Sequence, residues 1–220
     1  MKYLFSTLII ICFYSCYSDS KIKSSQQVSQ KYLNHNDSVK YVGKEACLSC
    51  HSDYYHSFIE TGMGKSFNIA NKNKSIIDDH NNPIIYDTIK DLYYQPFWKE
   101  DSLYILEFRL NNIDTVHKLI QKIDYVIGSG QHTNSHLYNE NGYIHQIPYT
   151  FYTQENRANL PPGYEHGNNT RFSRKIGLEC MSCHNAHPDF IETSQNKYNI
   201  IPNGIDCDRC HGPGELHVNE

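Results

Sequence analysis

Outside its N-terminal leader and three short motifs, this sequence has no cysteine. Of its 8 Cys, Cys12 and Cys16 lie in the first 16 residues and the other six sit in pairs further on, so no thiol is left for a structural disulfide. An excess of positive charge is also absent. The 20 Lys and Arg against 24 Asp and Glu give a net charge of -4, which argues against nucleic acid as a partner. Apolar residues make up only 39% of the chain, a thin supply for a polypeptide core. The apolar run from Tyr3 to Tyr14 is too short to span a bilayer comfortably, and no internal repeat is visible apart from the paired-cysteine motif itself.

That motif is Cys-x-x-Cys-His, present as Cys47-Leu-Ser-Cys50-His51, Cys180-Met-Ser-Cys183-His184 and Cys207-Asp-Arg-Cys210-His211. Positions i, i+3 and i+4 share one face of a helical turn, so two thiols and an imidazole can address one flat ring together. This is the attachment pattern of a c-type haem, in which the thiols bond the porphyrin and the imidazole binds iron. The expected cofactors are therefore three covalently attached c-type haems. Asp206 is placed to cap the last motif, while Pro188 and Gly212-Pro213 end the last two.

Two other chemistries share the paired cysteines. The gap between Cys183 and Cys207 is near that of a zinc ribbon, and a lone CxxC can be a dithiol redox pair. The histidine weighs against both. With 13 His in 220 residues, His after all three pairs by chance is on the order of one in several thousand.

Lys2, the apolar run and Ser15-Cys16 read as a signal peptide over residues 1–16, of the lipoprotein type with Cys16 lipidated. Residues 17–40 are polar and without period, as in a flexible tether. A folded domain is expected over 41–220, opening with a helix from about Lys44 to Thr61 that Gly62 ends. Residues 83–147 have a β texture. Tyr104, Leu106, Phe108 and Leu110 alternate with polar neighbours, and Asn141-Gly142 signals a tight hairpin. They predict a small antiparallel sheet inserted after the first motif. Residues 148–175 read as irregular. The 18 Tyr and 9 Phe suit packing against flat cofactors, and equally suit β-hairpins.

Beyond the motifs, the blocks Tyr41-Val-Gly-Lys-Glu-Ala-Cys47, Gly62-Met-Gly-Lys-Ser-Phe67, Ile127-Gly-Ser-Gly-Gln-His132, Pro162-Gly-Tyr164 and Gly204-Ile-Asp-Cys207 through Gly214 and His217-Val218 occur in an order that resembles the cytochrome c-552/4-type multihaem family. The similarity runs from about Tyr41 to Val218. It implies an α+β, haem-organised multihaem cytochrome c fold with much irregular structure, short helices at the motifs and the β-sheet as an insert. It also implies His132 and His217 as distal ligands, and Met63 where longer relatives carry His. Both imidazole and thioether bind haem iron. With His51, His184 and His211 these complete the expected iron ligands, His56, His166 and His187 standing in reserve.

The function that follows is an exported triheme electron carrier, periplasmic or otherwise extracytoplasmic. It would relay electrons between a membrane-side donor and an external acceptor, with redox proteins as partners and the membrane reached through Cys16. The competing reading is a catalytic multihaem oxidoreductase acting on a small nitrogen or sulfur oxyanion at an open haem, where Tyr152, Arg157 and Arg171 could serve. No catalytic constellation is evident from spacing, so a carrier is expected rather than an enzyme.

Overall fold

The computed structural model describes residues 32–78, 80 and 82–220. The expected signal peptide, with Cys16, and most of the expected tether lie outside the described residues. The chain divides into two units, Met1–Val39 and Lys40–Glu220. Within the first, the described residues Leu33–His35 form a 3-10 turn. Among the described residues no helix is long and apolar enough to cross a membrane.

The second unit opens with two short helices, α1 (Lys44–Cys47) and α2 (Ser52–Ile59). The single helix expected over 44–61 is broken at His51, whose φ of -119° and ψ of 41° leave the helical region although its amide still reaches Cys47 O.

Three antiparallel sheets follow. One orders β1 (Phe67–Ile69), β6 (Tyr125–Ile127), β7 (Thr133–Glu140), β8 (Tyr143–Tyr152) and β9 (Arg157–Asn159). The second is a meander of β2 (Ile85–Asp87), β3 (Leu92–Lys99), β4 (Ser102–Asn111) and β5 (Asp114–Ile123). The third pairs β10 (Asp189–Phe190) with β11 (Tyr198–Ile200). Helices α3 (Leu178–His184), α4 (Asp208–His211) and α5 (Glu215–Val218) complete the unit.

The α+β, haem-organised class is thus corrected: the unit is mostly antiparallel β. Its longest described helix has 8 residues, and strands extend on both sides of the expected 83–147 insert, from Phe67 to Asn159. Two tight turns escaped the sequence reading because they carry no glycine. Glu100-Asp101 joins β3 to β4 and Asn112-Ile113 joins β4 to β5, with Glu100 and Asn112 both at φ 55°. Asn141-Gly142 forms the third, and its φ of 90° at Gly142 is the left-handed geometry for which glycine is suited.

The two larger sheets pack face to face. Tyr138, Ile147 and Tyr149 from one meet Ile85, Leu92, Tyr94, Leu103, Ile105 and Ile123 from the other in a single buried cluster. Leu137, one position from Tyr138, faces the opposite way, as alternation along a strand requires. It joins Phe67, Ile144, Ile176, Met181 and Tyr198 in a second cluster. The five-stranded sheet is therefore covered on both faces, by the meander on one and by the segment carrying the second motif on the other. Pro148 fits mid-sheet because Ser135 pairs with Thr150 while Leu137 pairs with Gln146, leaving it in a bulge where no ladder donor is needed.

On β4 the buried face is Leu103, Ile105 and Glu107, not the apolar series Tyr104, Leu106, Phe108. Those rings instead cover the outer face, Tyr86, Tyr93 and Phe108 stacking at 4.3 and 5.0 Å. Most of the buried tyrosines hand their hydroxyl to a backbone carbonyl, as Tyr149 does to Pro83, Tyr138 to Phe172 and Tyr198 to Ile176.

Candidate functional site

The three motifs come from distant parts of the chain and meet in one region. Each is held by a different device. The second lies whole on α3, anchored by Met181, which is fully buried in the second core cluster. The third starts at Cys207, with Asp206 Oδ1 accepting the Arg209 amide at 3.2 Å as the expected cap, and its helix stops at Gly212. In the first, α1 ends at Cys47 and His51 sits in the break before α2.

Buried polar contacts join them. Asp208 Oδ2 accepts the amides of Val42 and Gly43 at 2.7 and 2.8 Å, docking the third motif against the residues that lead into the first. The Lys44 ammonium reaches Asn203 O from the other side. Arg209 Nη2 donates to Asn185 O at 3.3 Å, tying the third motif to the end of the second. Ser66 Oγ lies 2.6 Å from Met63 O and 2.8 Å from His184 O, and accepts the Ile205 amide at 3.3 Å. One hydroxyl thereby links the turn after α2, the second motif and the approach to the third. At that approach Gly204, with φ 67°, packs so close to Gly64 O that a side chain could not be inserted.

Sequence reasoning missed Ser66, Lys44 and Asp208 as connectors. Val42 and Asp208 are 166 residues apart, and nothing local marks an acidic residue inside a motif as the partner of two remote amides.

Helix α5 carries His217. Its Glu215 is paired with Lys40 twice, Lys40 N donating to Glu215 Oε2 at 2.9 Å and Glu215 N to Lys40 O at 3.3 Å. This anchors α5 beside the start of the first motif, where the His217 and His51 rings stand 6.2 Å apart with planes 23° from parallel. Two imidazoles bound to one metal from opposite sides at ~2.0–2.1 Å would have centres roughly 6 Å apart. The separation of the His51 and His217 rings is of that size.

The other expected ligands are dispersed. His211 and His132 are exposed, His132 in the loop whose Ser129 and Gln131 pack against Gly62. Met63 is 51% exposed, and its backbone carbonyl accepts the Ile205 amide at 3.3 Å on the approach to the third motif. His184 is half-buried, and burial pushes its pKa down. Of the reserves, His187 stacks on Tyr41 at 3.6 Å, burial lowering its pKa first and the Arg209 charge second. His166 is an exposed residue at φ 57°, and His56 lies on α2 against Tyr55.

Three covalent c-type haems are corrected by this arrangement. Among the described residues no group of three or more His, Cys, Asp and Glu side chains is gathered as a metal site. All six motif cysteines are free thiols, and only the second motif lies whole within a helix. The first thiols of two different motifs are neighbours: Cys47 Sγ donates to Gly43 O at 3.8 Å, and the Cys207 thiol is near enough to help raise the Cys47 pKa. Covalent attachment to one ring needs the two thiols of one motif on a common face. Burial first, then the Cys207 thiol and the Asp208 and Asp206 carboxylates, push the Cys47 pKa up to about 11, so it is a thiol at neutral pH.

Away from the motifs, Glu107 is fully buried between Arg171, which chelates it through Nε and Nη2, and His117 Nε2 at 2.8 Å. Arg171 is thus committed to a carboxylate on β4. Comparison with family models, with curated proteins and with solved structures finds no match for this chain.

Proposed function

We propose that this chain is an exported electron carrier, relaying electrons between a membrane-side donor and an extracytoplasmic acceptor protein. The observation that carries the reading is the His51–His217 pair, 6.2 Å apart and supplied by opposite ends of the folded unit. The convergence of all three Cys-x-x-Cys-His segments beside it supports the same reading, since a relay needs its redox groups close together. His51 and His217 would hold an iron, which would supply a one-electron couple. Around it, Glu215 and Lys40 hold the His217 helix in place, and Asp208 holds the segment leading to His51. Export, a lipid anchor at Cys16 and redox proteins as partners belong to this proposal and rest on the leader sequence.

The test is a reductive titration of protein produced with its leader in a host that exports it and supplied with iron. A reversible iron-centred absorbance change is expected, with a midpoint that moves in His217→Ala. A colourless, redox-silent protein, or a midpoint indifferent to both His217→Ala and His51→Ala, would overturn the reading.

A further inference from the structure

A second site lies away from the motif region, where the start of β8 meets the chain on either side of the second motif. The backbone frames it rigidly. Tyr143 forms an antiparallel bridge with Lys197, and His145 forms one with Lys175. Further bonds run from Ile144 N to Asn196 O at 3.0 Å, from Ile176 N to Ile144 O at 3.0 Å and from Tyr198 N to Gly142 O at 3.0 Å. Between these walls is a cavity of about 440 Å³.

Its chemistry is one-sided. Two ammonium groups line it and no carboxylate does, in a chain whose net charge is -4. Each ammonium has a neighbour on the wall. Lys175 Nζ donates to Gln195 Oε1 at 2.6 Å, and Lys197 Nζ sits 4.9 Å over the Tyr143 ring. The Lys175 bond occupies the Gln195 oxygen and leaves its amide N–H groups to donate elsewhere. Ser194 Oγ accepts the Asn196 amide at 3.2 Å, so its own O–H is likewise available. His145 Nδ1 is buried without a partner, and Nε2 is 3.3 Å from the buried Asn196 amide. Burial lowers the His145 pKa first and the Lys175 charge adds to this, while Glu140 on the paired strand β7 pulls the other way. The wall thus offers two cations and hydrogen-bond donors beside a volume of small-molecule size.

We propose that this cavity binds a small phosphate-bearing anion, held between Lys175 and Lys197 with Ser194 and Gln195 donating to its oxygens. Doubly charged oxyanions suit such a site because each ammonium makes a charge-assisted hydrogen bond, roughly twice as strong as a neutral one. The site is independent of the electron-carrier reading, since none of its residues belongs to a motif.

Calorimetric titration of the intact folded protein with inorganic phosphate and with glycerol phosphate, in low salt, tests it. Saturable binding of at least one probe at one site per chain is expected. Tighter binding of the ester identifies an organic phosphate, and equal affinity identifies free phosphate. The Lys175→Ala, Lys197→Ala double variant should lose about tenfold or more in affinity, and Lys118→Ala, Lys122→Ala on β5 should lose none. Thermal unfolding in chloride buffer checks that the double variant is folded, and Lys197→Gln alone provides a milder second variant with an intermediate loss. Non-saturable heats, an effect reproduced by potassium chloride at matched ionic strength, or undiminished affinity in the folded double variant would overturn the proposal.

Discussion

The Asp208 carboxylate accepts the backbone amide of Val42 at 2.7 Å, and through the same oxygen that of Gly43 at 2.8 Å, across 166 and 165 residues of intervening chain. Asp208 is nearly fully buried. Its loss would leave two half-buried amide donors without that acceptor.

Asp208→Ala should therefore cost about 2–3 kcal/mol, the value of hydrogen bonds to a charged group plus the stranded donors. Asp208→Asn keeps an acceptor oxygen and should cost less. Urea unfolding of both variants measures this, and equal stabilities of Asp208→Ala and the parent would show that the clamp contributes nothing.

Glu107 gives an acid-side prediction. Burial raises its pKa, but hydrogen bonds from Arg171 and His117 and the Arg171 charge outweigh that and hold it below the usual 4.5. A lowered folded pKa means the unfolded chain takes up the proton first. The contribution is complete above about pH 4.5 and disappears as pH falls through the lowered folded value. Urea midpoints followed from pH 6 downward should show this loss, and it should vanish in Glu107→Gln. Arg171→Ala should cost about 2–3 kcal/mol at pH 7, below the range for a fully buried pair because Arg171 is partly exposed and His117 remains.

His136 acts in a higher window. It is fully buried beside the β8 bulge, with Nδ1 3.1 Å from Tyr149 O and Nε2 unpartnered. Burial drives its pKa from 6.5 down to about 4, the Tyr149 hydrogen bond opposing only in part. Below pH 6.5 the unfolded chain binds a proton that the folded one refuses, so stability should fall between pH 6.5 and about 4. The loss is of the order of 3 kcal/mol, at about 1.4 kcal/mol per pH unit. A His136→Gln variant should lose this part of the slope and keep the part that His145, His184 and His187 contribute; an unchanged slope would assign the effect elsewhere.

Met181 ties the second motif to the core. Truncation to Ala should cost about 2–5 kcal/mol through the lost burial and the cavity left behind. If the anchor holds the motif, hydrogen exchange at the amides of Cys183 and His184 should accelerate more than at Leu103 in the other core cluster. Uniform acceleration would mean that only global stability had changed.

Much of the local structure was legible from residue types alone. The Asn141-Gly142 turn, the Asp206 cap and the β texture of 104–110 and 119–127 follow from backbone preferences acting over a few residues. The turns at Glu100 and Asn112 did not, because those residues adopt positive φ only where the pairing of β3, β4 and β5 enforces it. Nor did the buried face of β4. Both faces of that strand are apolar enough to be covered, and Glu107 enters the interior only because Arg171, 64 residues away, neutralises it there. The motif residues themselves could be picked out by spacing. Whether their thiols and imidazoles face a common ring is set by the directions in which α1, α3, α4 and α5 are held. Asp208, Ser66, Met181 and Glu215 hold them through contacts between residues more than 100 positions apart in three of the four cases, the fourth being the packing of Met181. Sequence determined which chemical groups this protein can present. Tertiary structure decided which of them meet, bringing His51 to His217 and Cys47 to Cys207, because long-range packing and buried hydrogen bonds leave no imprint on local residue spacing.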